Sequence, residues 1–241
     1  MDYTFLNIND VLSYVNYMLG KDLLGKYISP QEFSQIFNEV QVELIDSMVQ
    51  TFEQNRELTS KLIPFVKTAG DNVNPPIYLD SYGKADFPAD CVYHARGNYI
   101  QYLNNGCNAK ATYKQIVFLD QATFGGFMNM PMMNPLVNTK EVPPYMVIES
   151  GQMRIVSNPI LQSISLTYIR YPKEIYYDYD IIGGEPVFLP AGSTHVNSSV
   201  QPQGSPSLTV NTEWGVDVLP TIANMIYQKA SINIGQAQQQ Q

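Results

Sequence analysis

Tyr145-Met146-Val147-Ile148-Glu149-Ser150-Gly151-Gln152-Met153-Arg154-Ile155-Val156 reads as two β-strands joined by a tight two-residue turn. The same texture extends outward in both directions. Short β-type runs at 76–79, 91–95, 98–102, 111–119, 163–171 and 186–189 are separated by Pro, Gly and Asn, which predicts an antiparallel β domain, a sandwich or a barrel, over 67–213. Two long loops interrupt it, 120–143 and 190–211. The first holds Phe127, Met128, Met130, Met132 and Met133 without a strand or helix period. Unbranched Met suits either a loop folded over the domain's own core or an adaptable docking surface.

Helical signals flank this region. Asn9 as N-cap, then Val11, Leu12, Val15, Met18 and Leu19, with Gly20 as the stop, predict a first helix. Ser29-Pro30-Gln31-Glu32 combines a Ser cap, a Pro in the first turn and a Glu three residues after the cap, the capping-box order. Phe33, Ile36, Phe37, Val40, Leu44, Met48 and Phe52 then form one apolar stripe. A last helix is expected from about Asp217 through Ala230, followed by a Gln-rich tail at 236–241. The predicted class is α+β: helical segments 1–66 and 214–235 packed with the β domain.

The net charge is −8, and residues 1–60 carry nine acids against three bases. Such a balance argues against gripping phosphates, which needs clustered Lys and Arg. Charged residues make up only 15% of the chain, against roughly 25% in ordinary domains. Low charge with 17 Tyr suits a protein packed against neighbours, because interface cores are depleted in charge and rich in aromatics. The opposite face of the second helix presents Glu39, Glu43, Asp46 and Glu53, either a solvated outer face or one that approaches passing DNA.

Little in the sequence points to catalysis. There is no phosphate-binding Gly loop, no Gly-x-Ser-x-Gly elbow and no His-Glu-x-x-His. Cys91 and Cys107 are expected to stay reduced and inert, and no cofactor or metal is expected. Asp178 and Asp180 are either paired carboxylates on one strand face or solvated loop acids. No basic leader or bilayer-length apolar run appears, so folding in a cytoplasm, without membrane contact, is expected.

The order helix, helix, β domain with long loops, helix resembles the head-to-tail connector proteins of short-tailed bacteriophages, of the adaptor or tail-tubular type. Ala85-Asp86-Phe87-Pro88-Ala89-Asp90-Cys91-Val92-Tyr93 is similar to that family's strand entry, with Phe87 where Leu is usual. Gly151 to Pro159 and Leu166 to Ile175 resemble its hairpin-to-Pro strand and its Tyr-x-x-x-Pro strand. The Asn/Tyr-rich composition and Gln tail are similar to those of a crAss-like phage ring protein.

The resemblance implies a non-enzymatic virion protein of the tail or neck. Such a protein forms a homo-oligomeric ring, a dodecamer in the family, that joins the portal to other tail or ring proteins. Double-stranded DNA passes through its channel without sequence-specific binding. On that reading Glu39, Glu43, Asp46 and Glu53 face the channel, and Trp214, Leu219, Ile222, Met225, Ile226, Gln236 and Gln238 dock the portal or a neighbouring subunit. The Phe127–Met133 cluster supplies a loop interface. The competing reading is a carbohydrate-binding or adhesin module of the tail, for which Tyr-rich β domains are suited.

Overall fold

The computed structural model describes residues 5–22, 27–51, 60–71, 73–105, 108–138 and 142–239. They form an α+β fold with helices toward both ends of the chain. Two compact units are present, Met1–Pro64 with Tyr171–Gln241, and Phe65–Arg170.

The first unit is built on three helices, α1 (Ile8–Asp22), α2 (Pro30–Thr51) and a C-terminal helix, α4 (Leu219–Gln239). At the start of α1 it is the Asn7 side chain that accepts the Asn9 amide, at 2.9 Å, so the cap lies two residues before the expected Asn9. Gly20 does not end the helix. It sits inside α1, where an added Cβ would meet only the Tyr27 ring at van der Waals distance. The start of α2 follows the sequence: Ser29 Oγ accepts the Glu32 amide at 3.2 Å.

Every residue of the α2 stripe from Phe33 to Met48 is buried, and Phe33 meets Phe37 edge-on at 5.7 Å. The stripe packs against α4, which buries Ile222, Ala223, Ile226 and Ala230 completely. Lys229 lies beside Glu39 and Glu43, while Ile232 shares a groove with Glu32 and Ile36, so the two helices run antiparallel. α4 also continues through Gln236 and Gln238 to Gln239, well into the Gln-rich tail.

Residues 171–213, expected in the β domain, belong to the helical unit. Polar side chains of α2 hold them there. Asn38 donates to the Ile175 carbonyl at 3.1 Å and accepts its amide at 2.8 Å, and Gln41 Nε2 donates to the Lys173 carbonyl at 2.9 Å. Ser34 Oγ accepts the Tyr177 amide at 3.0 Å, and the Tyr177 hydroxyl reaches Asn9 at 2.8 Å. The segment is extended backbone bonded to helix side chains instead of to a sheet. It also contains a small hairpin of β9 (Tyr179–Ile182) and β10 (Glu185–Phe188).

The second unit is one mixed sheet in the order β1-β8-β4-β5-β6-β7-β3, with β2 pairing β8. Its strands are β1 (Val66–Ala69), β2 (Ile77–Tyr78), β3 (Lys84–Asp86), β4 (Cys91–Asn105), β5 (Asn108–Phe118), β6 (Tyr145–Glu149), β7 (Gln152–Val156) and β8 (Ser163–Arg170). All pairs are antiparallel except β5–β6, joined in parallel at Val117–Tyr145 and Phe118–Met146. The two runs at 91–95 and 98–102 are one strand, β4, with register shifts between Cys91 and Tyr93 and between His94 and Arg96.

The β6–β7 hairpin forms as read, turning through Ser150 (φ 53°) and Gly151 (φ 82°). Ile116, Met146, Met153, Ile155, Ile164, Leu166 and Tyr168 make the core, with Phe87 and Phe118 packed on it. The long loop 120–143 contains a helix, α3 (Gln121–Asn129), where no helix was expected. Loop 190–211 holds neither helix nor strand, in keeping with its composition.

Candidate functional site

Of the four acids proposed to face a channel, Glu53 lies outside the described residues. Glu39 and Glu43 share Lys229 of α4, whose Nζ is 3.2 Å from Glu39 Oε2 and 2.6 Å from Glu43 Oε1. The hydrogen bond that Lys229 donates to Glu43 is the main reason its ammonium is held above its ordinary range, against a smaller opposing cost of burial. Asp46 is exposed, with no ion pair among the described residues. The stripe is therefore partly neutralised and fastens α2 to α4, an exposed contact of small energetic weight. A groove of 330 Å³ runs alongside it, lined by Glu32, Gln35, Ile36, Glu39, Lys229 and Ile232.

The docking residues proposed on α4 divide differently. Trp214, Ile222 and Ile226 are wholly buried in the folded chain and present no surface to a partner. Leu219 and Met225 are half-buried. The amphipathic stripe was legible in the sequence, but periodicity alone does not say which protein covers it. Gln236 and Gln238 lie in the last turns of α4.

The Met cluster also leaves apolar surface uncovered. Asp120 caps α3, accepting the Thr123 amide at 2.9 Å and its hydroxyl at 2.6 Å, and these bonds hold the Asp120 carboxyl below its usual range. Gln121 Nε2 fixes the helix to the Ile148 carbonyl at 2.9 Å, and the Phe127 ring tilts onto Tyr145 at 5.8 Å. Phe127 and Met128 are half-buried, and no residue of α3 is fully buried. Beyond it Met130, Met132 and Met133 are 56%, 80% and 45% exposed, and Leu136 and Val137 stand exposed too. Phe127 thus leans on its own sheet, while Met130, Met132 and Met133 lie open. The helix was missed because Gly125-Gly126 and evenly spread apolar residues give it no periodic face.

Sequence reasoning also missed a buried ionic cluster. Asp178 and Asp180 do share one side of the β9 strand run, and they are buried there with His195 between them instead of solvated. Its Nδ1 is 2.7 Å from Asp180 Oδ1, its Nε2 is 3.0 Å from Asp178 Oδ2, and all three side chains are buried. Backbone amides also reach both carboxylates: Val196 donates to Asp180 Oδ2 at 2.7 Å, Tyr179 to Asp178 Oδ1 at 3.0 Å, and Leu208 to Asp178 Oδ2, the oxygen that His195 also contacts, at 2.8 Å. Thr209 Oγ1 accepts the Asp178 amide at 3.2 Å and donates to the Leu189 carbonyl at 2.6 Å.

A carboxylate only accepts, so both His195 contacts are hydrogen bonds at once when the ring carries two protons. The Asp180 bond raises the His195 pKa, and the Val196 amide, followed by His195, lowers that of Asp180. The arrangement crosslinks loop 190–211 to β9. It places no hydroxyl or thiol nucleophile on the imidazole, whose two nitrogens are both engaged. The sequence signal was faint: a His in a Ser- and Gly-rich loop, 15 residues after a spaced Asp pair.

Cys91 is a free thiol, half-buried, and burial pushes its pKa up to about 11, opposite to the shift a nucleophilic cysteine needs. Cys107 lies outside the described residues. Among the described residues no group of His, Cys, Asp and Glu is arranged to hold a metal ion, and no helix is long and apolar enough to cross a membrane. No protein-family model matches the chain, and no curated protein is similar to it.

Proposed function

We propose that this chain is a structural subunit of a tailed-phage virion, one that assembles with copies of itself into a ring between portal and tail and leaves a channel for DNA. The observation that carries the reading is the exposed apolar run from Met130 to Val137, next to a helix with no fully buried residue. Contiguous apolar surface of this kind marks an interaction site, and unbranched Met adapts to an irregular partner. The low charged fraction and the helix-β-helix order favour the same conclusion.

The ring subunit needs no catalytic group, and the buried Asp178–His195–Asp180 cluster is committed to holding a loop. A glycan-binding module of the tail is the second reading, favoured by the exposed rings of Tyr78 and Tyr82 in the β unit.

Replacing Met130, Met132 and Met133 together by Gln tests the proposal. Sedimentation velocity of the purified variant, alone and mixed with the cognate portal, should show loss of the assembled species with an unchanged unfolding midpoint. Assembly equal to the unsubstituted protein contradicts the role given to this surface, and glycan-dependent retention by a monomer supports the second reading.

A further inference from the structure

The β4–β5 hairpin outgrows its sheet. β4 pairs β8 only as far as Asn98, and β5 pairs β6 only at Val117 and Phe118. From Tyr99↔Lys114 to Asn105↔Asn108 the two strands pair with each other and, among the described residues, with nothing else. Seven residue pairs at about 3.4 Å per residue make a ribbon roughly 24 Å long with both edges open. A two-stranded ribbon is marginal in water by itself, and open edges invite pairing with other chains.

The charge of this arm departs from that of the rest of the chain. Between Asp90 and Asp120 there is no acid, while Arg96, Lys110 and Lys114 are basic, in a protein of net charge −8. Lys110 stands opposite Leu103 and Lys114 opposite Tyr99, so the two-residue strand period puts both lysine positions on one face. Lysine along an open ribbon discourages strand addition, which favours contact through the charged face over pairing at an edge.

We propose that this ribbon is an arm that rests its lysine face on the acidic stripe Glu39, Glu43 and Asp46 of a second copy of the chain. The assignment rests on the ring reading and names its lateral contact. Among the described residues the stripe carries three acids against Lys229, so a net negative face remains to be matched. The dimensions agree: Lys110 to Lys114 spans about 14 Å of strand, and Glu39 to Asp46 about 10 Å of helix. Three dispersed bases on an acidic protein are too few for a nucleic-acid grip, so a second copy is the favoured partner.

The test uses the full chain with Lys110→Glu/Lys114→Glu, with Asp46→Lys, and with all three changes together, read by native mass spectrometry and by thermal unfolding. The double and the single variant should each weaken association about tenfold, a loss of roughly 1.4 kcal/mol, without moving the unfolding midpoint, and the triple variant should recover it. Four outcomes overturn the proposal. Rings formed equally by the Lys110→Glu/Lys114→Glu variant remove the arm and leave the ring reading standing. Failure of the triple variant to recover removes the α2 stripe as its partner. Unchanged rings with lost salt-sensitive binding of duplex DNA reassign the arm to nucleic acid. An unsubstituted protein that stays monomeric at every concentration removes the ring reading and the arm contact with it.

Discussion

His195 Nδ1 lies 2.7 Å from Asp180 Oδ1, and this buried contact ties loop 190–211 to the β9–β10 hairpin. Around it the loop backbone turns on itself, with the His195 amide donating to the Ser205 carbonyl and the Gly204 amide to the His195 carbonyl, each at 2.9 Å. A segment without helix or strand is thereby given a fixed course.

The cluster predicts a pH window. The folded pKa of His195 is raised above 6.5, so its stabilising contribution is complete below pH 6.5 and is lost as pH climbs through the raised value. That of Asp180 is lowered below 3.8, so its contribution is complete above pH 3.8 and is lost as pH falls through the lowered value. Protection of the 190–211 amides, taken relative to their base-catalysed intrinsic exchange, should be greatest between these limits and should fall on the alkaline side. His195→Gln should remove the alkaline limb of the profile; persistence of that limb in the variant would assign it to another group.

A second prediction concerns the turn. Ser150 adopts φ 53°, which costs a non-Gly residue about 1–2 kcal/mol unless its side chain suits the left-handed region. Asn is favoured there in a two-residue hairpin turn. Ser150→Asn should raise the unfolding free energy by about 0.5–1 kcal/mol in denaturant titration. A lower midpoint would mean that the serine makes a contribution the turn geometry does not explain.

Gly83 tests the opposite case. Its φ is 75°, an added Cβ would collide with the Ile155 carbonyl, and its own carbonyl accepts the Ile155 amide at 2.8 Å. Gly83→Ala should destabilise the β unit by about 1–3 kcal/mol and loosen the β3–β7 edge. Unchanged unfolding would show that β3 can detach at little cost.

The α4 stripe separates folding from assembly. Ile226 has no exposed surface, so Ile226→Ala should cost about 2–5 kcal/mol of stability whether or not a partner is present. If that variant unfolds like the unsubstituted chain yet fails to bind portal, Ile226 is a docking residue after all.

What was legible in the sequence was local. The Ser29 cap, the α2 stripe and the β6–β7 hairpin each depend on residues a few positions apart, where periodicity and turn chemistry act directly. Residues 171–213 were misplaced because Ser34, Asn38 and Gln41 hold them from more than 130 positions away, through amides and a hydroxyl that leave no periodic mark. The Asp178–His195–Asp180 cluster stayed hidden for a related reason. Its members are 15 and 17 residues apart in irregular chain, and only the fold shows that they are buried together. The docking residues read from α4 were apolar for the sake of their own unit, whereas the Met130–Val137 surface needed the structure to show that nothing in its unit covers it.

The central claim, that this chain builds a ring, is tested most directly by negative-stain electron microscopy of the purified full-length protein, alone and with the cognate portal. The account predicts closed rings of uniform subunit number with a central opening, stacked on the portal when it is present. Dispersed monomers in both preparations, at concentrations where the portal itself is intact, would contradict it.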